Sequence, residues 1–75
     1  MNELRLPDLG EIDEVKVVGW LKKIGDRVEP GEELLEVETN KTTFVVEAEI
    51  GGKITRILVD VGERASRGDL LAEIG

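Results

Sequence analysis

The side chain best set for covalent chemistry is the amine of Lys41, in the run Glu38-Thr39-Asn40-Lys41-Thr42. A primary amine is a nucleophile that a ligase can convert to an amide, provided that this lysine is presented and the others are ignored. The flanking residues supply a presentation. On the incoming side Leu35, Val37 and Thr39 alternate with Leu34, Glu36 and Glu38, a period of two that puts the first set on one face of a strand and the second on the other. On the outgoing side Thr43-Phe44-Val45-Val46-Glu47-Ala48 is again rich in β-formers. The two runs predict a hairpin over residues 34–48 with Asn40-Lys41 as its turn. Asn suits a tight turn because its side chain can bond its own backbone, and nothing nearby is apolar enough to draw the lysine inward. Lys41 is thus expected at a protruding tip. A lysine in a turn is ordinarily a solvated charge; what marks this one is its place on a rigid projection.

Other chemistries are closed off by what the chain lacks. With no cysteine and no histidine, it has no disulfide framework, no cysteine-metal site, no usual general base at neutral pH and not the commonest metal ligand. This composition argues against triad or zinc catalysis. Ten basic against 17 acidic side chains give a net charge of -7, which opposes binding to a nucleic acid backbone or an anionic membrane and favours neutral or basic partners. The opening Met1-Asn2-Glu3-Leu4-Arg5-Leu6-Pro7 has neither the basic start nor the apolar run of a secretion signal, and no stretch approaches about 18 apolar residues. The expected location is the cytoplasm, or the mitochondrial matrix in a eukaryote.

The elements that must hold Lys41 are strands. At 75 residues the chain is expected to be one domain, residues 1–75, with a small core. Trp20 and Phe44 are its only aromatics, so that core is aliphatic, and nine glycines and two prolines interrupt any helical period. Strands are predicted over residues 5–7, ended by Pro7, then over 15–24, 27–29, 33–38, 43–49, 53–59 and 70–74. A polar, acidic loop fills 8–14, and turns fall at Gly25-Asp26, Pro30-Gly31, Gly51-Gly52, Gly62-Glu63 and Gly68-Asp69. A repeat runs through this pattern at an offset of 37 residues, between about 15–38 and 52–75. Val17, Leu21, Ile24, Gly25, Val28, Gly31, Leu34 and Val37 match Ile54, Leu58, Val61, Gly62, Ala65, Gly68, Leu71 and Ile74. Neither half can bury its own apolar face, but two halves about a pseudo-twofold can. The predicted fold is all-β, a flattened barrel or sandwich of two antiparallel sheets. Leu21, Val28, Leu34, Val37, Ile54, Leu58, Leu71 and Ile74 are expected inside, with the Lys41 turn and the chain ends at opposite poles.

On these residues the chain resembles a known family. Glu38-Thr39-Asn40-Lys41-Thr42 is similar to the Glu-Thr-Asp-Lys-Ala attachment motif of lipoyl domains from the acyltransferase component of 2-oxo acid dehydrogenase complexes. Leu6-Pro7-Asp8-Leu9-Gly10-Glu11 resembles that family's opening strand and loop, residues 18–31 its first half, and residues 52–74 its second. The resemblance covers residues 4–74 and implies a barrel-sandwich hybrid carrying lipoic acid in amide linkage to Lys41. It implies recognition through Glu38, Thr39, Asn40 and Thr42 at the tip and Leu9, Gly10 and Glu11 in the loop. The implied domain is not an enzyme in isolation but a carrier, part of a dihydrolipoyllysine-residue acyltransferase. Its partners would be a lipoate ligase or lipoyl transferase, the 2-oxo acid decarboxylase (E1) that loads the arm, the acyltransferase core (E2) that passes the acyl group to coenzyme A, and the dihydrolipoyl dehydrogenase (E3) that reoxidises it. About 11 bonds separate the lysine Cα from the dithiolane, so at roughly 1.25 Å of advance per bond the arm reaches about 14 Å.

The chain departs from the family pattern at Asn40, where Asp is usual, at Thr42, where Ala is usual, and in lacking the glycine that commonly follows Glu11. Biotinyl carrier domains resemble it in fold but flank their lysine with Met on both sides, unlike Asn40 and Thr42. The glycine cleavage carrier adds helical and terminal segments that 75 residues do not accommodate. An unmodified structural or adaptor hairpin of the same fold is the remaining alternative.

Overall fold

The computed structural model describes residues 2–10 and 12–75, which form eight strands and, among those residues, no helix. The strands are β1 (Asn2–Arg5), β2 (Glu14–Trp20), β3 (Arg27–Val28), β4 (Glu33–Glu38), β5 (Thr43–Glu47), β6 (Gly52–Ile57), β7 (Arg64–Ser66) and β8 (Leu70–Ile74). They make two four-stranded antiparallel sheets, ordered β1-β8-β6-β3 and β5-β4-β2-β7. The short strands β3 and β7 each cross from one half of the repeat to the sheet of the other, which ties the sheets into a flattened barrel. Between them lies an aliphatic core in which Val15, Val17, Val28, Leu34, Leu35, Val37, Ile54, Leu71 and Ile74 are fully buried. Burying side chains of this kind contributes about 1.5–3 kcal/mol each, the main favourable term in so small a domain.

The repeat is reproduced bond by bond. Leu21 N–H donates to the Leu34 carbonyl at 2.8 Å and Leu58 N–H to that of Leu71 at 2.9 Å; Gly25 N–H reaches Ile54 O, and Gly62 N–H reaches Val17 O, both at 2.8 Å. Beside β8, β1 stands where β5 stands beside β4, Leu4 opposite Ala72 as Val46 is opposite Leu35. Four turns, at residues 23–26, 29–32, 60–63 and 66–69, share one construction. The last N–H donates to the first carbonyl at 2.9–3.1 Å, and the carboxylate of the last residue (Asp26, Glu32, Glu63 or Asp69) accepts the first N–H at 2.7–3.0 Å. The third residue is glycine with φ between +85° and +98°, the left-handed conformation that this turn requires and a side chain resists.

These connections fix the poles. Lys16 on β2 lies opposite Glu38, beside the tip of the β4–β5 hairpin, and from there β2 and the 23–26 turn lead to β3, which pairs with Gly52 and Lys53. Lys53 exchanges backbone bonds with Gly75. The tip and the chain ends therefore lie at opposite ends of a body 31 Å long.

Several expectations need correction. The first strand is Asn2–Arg5 rather than 5–7, because β8 offers an open edge along which Asn2 pairs with Ile74; Leu4 and Leu6 both turn inward. Strand β2 stops at Trp20 instead of residue 24. Leu21 makes its bond to Leu34 and the chain turns away, leaving Leu21 46% exposed and Ile24 60% exposed. Leu21 is thus not a core residue, and its mate Leu58 is only half-buried; Val28, Leu34, Val37, Ile54, Leu71 and Ile74 are inside. Leu34 was expected to share a face with Glu36 and Glu38, yet Leu34 and Leu35 are both buried. The β4–β5 register shifts between Glu33 and Leu35, and a bulge there suspends the strict alternation.

Candidate functional site

Strands β4 and β5 raise the tip. Their ladder sets Leu35 against Val46, Glu36 against Val45, Val37 against Phe44 and Glu38 against Thr43, and residues 39–42 turn the chain. Leu35, Val37 and Val46 root both arms in the core. The turn itself is closed by Thr39. Its backbone N–H donates to the Thr42 carbonyl at 2.8 Å, and its hydroxyl donates to the same carbonyl at 2.9 Å. Its Oγ1 also accepts the N–H of Lys41 at 3.1 Å and of Thr42 at 3.0 Å. Among the described residues the Asn40 side chain forms no hydrogen bond, so the turn-forming part expected of Asn40 is taken by Thr39.

Thr39 is half-buried, while Glu38, Asn40, Lys41 and Thr42 are exposed. The Lys41 ammonium has no salt bridge among the described residues. Lys22 differs: its Nζ lies 2.9 Å from Glu32. That hydrogen bond raises the Lys22 pKa above its ordinary value and holds the Glu32 carboxyl below the usual carboxylate range.

Around the tip stand residues that the sequence did not single out. Lys16 on β2 faces both Glu38 and Arg64, and with Thr39, Asn40 and Glu14 these line a shallow groove. Arg64 bonds Glu14 at 3.0 Å. Because Lys16 is level with Glu38, Glu14 and the loop before it lie at the tip end of the barrel. In that loop Leu9 is half-buried against the core and Gly10 is exposed, its N–H held by the Asp8 carboxylate at 2.9 Å. Glu11 lies outside the described residues. Arg67, from the 66–69 turn, clamps the loop: its N–H donates to Asp13 O at 3.0 Å, and its guanidinium pairs with the carboxylates of Asp13 and, at 3.9 Å, Asp8. No hydrogen bond or salt bridge among the described residues joins this loop to residues 38–42. The Glu14–Arg64 pair joins positions 50 residues apart, beyond what local patterning reveals. The signal for Thr39 was present in its type, since Ser and Thr hydroxyls bond backbone groups a few residues on.

The fold of two repeated halves agrees with what known proteins show. A family model described as biotin-requiring enzyme, covering biotin and lipoyl attachment domains, matches residues 2–74. The chain belongs to this family. Over 75 residues it is 40% identical to the dihydrolipoyllysine-residue succinyltransferase component of the 2-oxoglutarate dehydrogenase complex of Bacillus subtilis, covering 99% of this chain and 18% of that protein. Among solved structures it is similar to the lipoyl domain of the 2-oxoglutarate dehydrogenase complex from Azotobacter vinelandii, with a TM-score of 0.79, 30% identity and coverage of 100% of this chain and 96% of the other. It also superposes on Kluyveromyces lactis urea carboxylase with a TM-score of 0.83 and 30% identity, over 99% of this chain but 6% of that one. It is a carrier domain of the lipoyl type.

Proposed function

We propose that Lys41 is the attachment point of lipoic acid, and that the domain carries acyl groups and reducing equivalents between the decarboxylase, acyltransferase and dihydrolipoyl dehydrogenase sites of a 2-oxo acid dehydrogenase complex. The observation that carries the reading is the exposed Lys41 amine, at the tip of a hairpin rooted in the core and at the pole opposite the chain ends. A linkage leaving Gly75 would thus tether the domain without covering the lysine. The residues present fit an acyl acceptor, because no described side chain competes for the ammonium. In the attachment step the Lys41 ammonium first gives a proton to solvent, the freed Nζ lone pair attacks the carbonyl of an activated lipoyl group, the C–N bond forms, the activating group leaves with its electron pair and a second proton passes to solvent. The dithiolane, once attached, supplies thiol chemistry that this cysteine-free chain lacks. Tethering keeps the carrier at high effective concentration near its partners.

A lipoyl and a biotinyl carrier share this fold, so the flanks of the lysine must discriminate. The parent, N40M/T42M, and a version with Asn40 and Lys41 exchanged are incubated separately with a lipoate ligase and a biotin ligase, and adducts are located by peptide mass. The expected result is lipoylation of the parent at Lys41, almost no biotinylation unless both flanks become Met, and poor lipoylation of the exchanged version. A lipoyl adduct on Lys16, Lys22, Lys23 or Lys53, or efficient biotinylation of the parent, would overturn the assignment.

A further inference from the structure

Deepening that reading, and resting on it, we infer that Thr39 is the positioning residue of the attachment step, its hydroxyl fixing the direction in which the Lys41 amine is offered. Two residues, Asn40 and Lys41, separate the paired ends of β4 and β5 when Thr39 and Thr42 are counted with the arms. Loops of this length usually adopt turns with positive φ at one or both central positions, because those match the twist of the strands. Neither Asn40 nor Lys41 has positive φ. The favoured backbone geometry is therefore not what holds the tip.

The hydroxyl takes its place. In a tight two-residue loop the residues on either side exchange backbone bonds with each other. Here only one of the two is a backbone pair, Thr39 N–H to Thr42 O at 2.8 Å. The return bond from Thr42 N–H ends on Thr39 Oγ1 at 3.0 Å, and the Lys41 N–H ends on the same atom at 3.1 Å. Oγ1 completes the set by donating its own proton to Thr42 O at 2.9 Å. One atom thus binds the amide at the lysine, the amide after it and the carbonyl closing the loop, which uses its donor and both acceptor sites. Thr39 is half-buried between exposed neighbours, so its side chain is held while Asn40, Lys41 and Thr42 project.

Without this hydroxyl the Lys41 and Thr42 amides turn to water. Both are at the surface, so folding tolerates the change, but the direction of the Lys41 Cα–Cβ bond is no longer set. A reacting group displaced by about 1 Å can lose about a hundredfold in rate, and a lysine sampling several directions loses much of its productive fraction.

The test compares the parent, Thr39→Val, which keeps the branched shape and loses the hydroxyl, and Thr39→Ser, which restores it. Lipoate ligase kinetics on the unmodified domains are expected to show kcat/KM down about tenfold or more for T39V and within about threefold of the parent for T39S. On the same samples, NMR solvent exchange of the Lys41 and Thr42 amide protons should quicken in T39V and return in T39S, with the urea midpoint little changed. The exchange measurement separates a clip within the turn from a hydroxyl that merely touches the ligase, since only the clip alters the free domain. Parent-like modification of T39V, failure of T39S to rescue, or unaltered amide exchange would each overturn the inference. A parent that no lipoate ligase modifies would instead sink the assignment of Lys41, while amide exchange still decides whether the clip exists.

Discussion

The turns at residues 23–26, 29–32, 60–63 and 66–69 and the turn at 39–42 reverse the chain with different parts. Each of the four repeated turns uses a glycine at positive φ and a carboxylate at its last residue, and each glycine N–H reaches out to a neighbouring segment: Gly25 to Ile54, Gly31 to Ala48, Gly62 to Val17 and Gly68 to Leu6. The tip has no glycine, no carboxylate clip and no positive φ, and the hydrogen bonds within residues 39–42 are all local. The first construction stitches the two sheets together, whereas the second holds up one amine. Changes at the repeated turns and beneath them should appear in the stability of the domain, and changes at the tip in its modification.

The largest effect is expected where the hairpin enters the core. Leu34 is fully buried, and its carbonyl accepts the N–H of Leu21. Leu34→Ala should cost about 2–5 kcal/mol, through lost transfer energy and the cavity left behind. That is a large part of the 5–15 kcal/mol that usually separates folded from unfolded. Urea unfolding within 1 kcal/mol of the parent would show that the arm is no more part of the core than its tip.

Next come the repeated glycines. A Cβ built on Gly31 or Gly68 meets nothing within 4 Å, so substitution is penalised by backbone conformation alone, and Gly31→Ala and Gly68→Ala should each cost about 1–2 kcal/mol in urea unfolding. A loss no greater than that of a tip substitution would erase the contrast between the two kinds of turn. Smaller again is the contribution of Lys22 and Glu32, a partly exposed pair at 2.9 Å and therefore weak. The Glu32 carboxyl is held low, mainly by the Lys22 hydrogen bond. A lowered folded-state pKa gives stability that is present above the unfolded pKa and lost as pH falls through the folded one. Urea midpoints of the parent and Glu32→Gln should thus differ modestly at neutral pH and converge below the carboxylate range. A gap that widens on acidification would reverse the sign.

Most of this architecture was legible because the chain states it twice. The matched glycines and apolar residues located the halves, their mutual burial and the hairpin, and β4 occupies the residues predicted for it, Glu33–Glu38. Burial at the strand ends was not legible. Leu21 and Leu58 obey the repeat, but whether a leucine at the end of a strand stays inside depends on where the chain leaves the ladder, which hydropathy alone does not encode. The bulge that buries Leu34 and Leu35 together is likewise a tertiary event. At the tip, the exposed place of Lys41 in a hairpin turn could be read from the two β-forming runs around it. The closure of its turn was assigned to Asn40 on residue preference when Thr39 makes the bonds, because both types favour turns and only geometry shows which side chain folds back.

The smallest stability effect, and the sharpest test of the contrast, belongs to Lys41 itself. Its side chain is exposed, without a salt bridge among the described residues, and its φ is not strained. Its backbone N–H bond to Thr39 Oγ1 survives truncation of the side chain. Lys41→Ala should therefore change unfolding free energy by no more than about 0.5 kcal/mol, as expected for a surface position away from caps and special backbone geometry. The same substitution should abolish attachment of lipoate, since no other lysine stands on such a projection. Intact mass after ligase treatment and a urea curve on the same preparation report both quantities. A loss above 1 kcal/mol would return Lys41 to the fold as a structural residue, and a lipoyl adduct persisting on K41A would show that the tip is not where the domain is loaded.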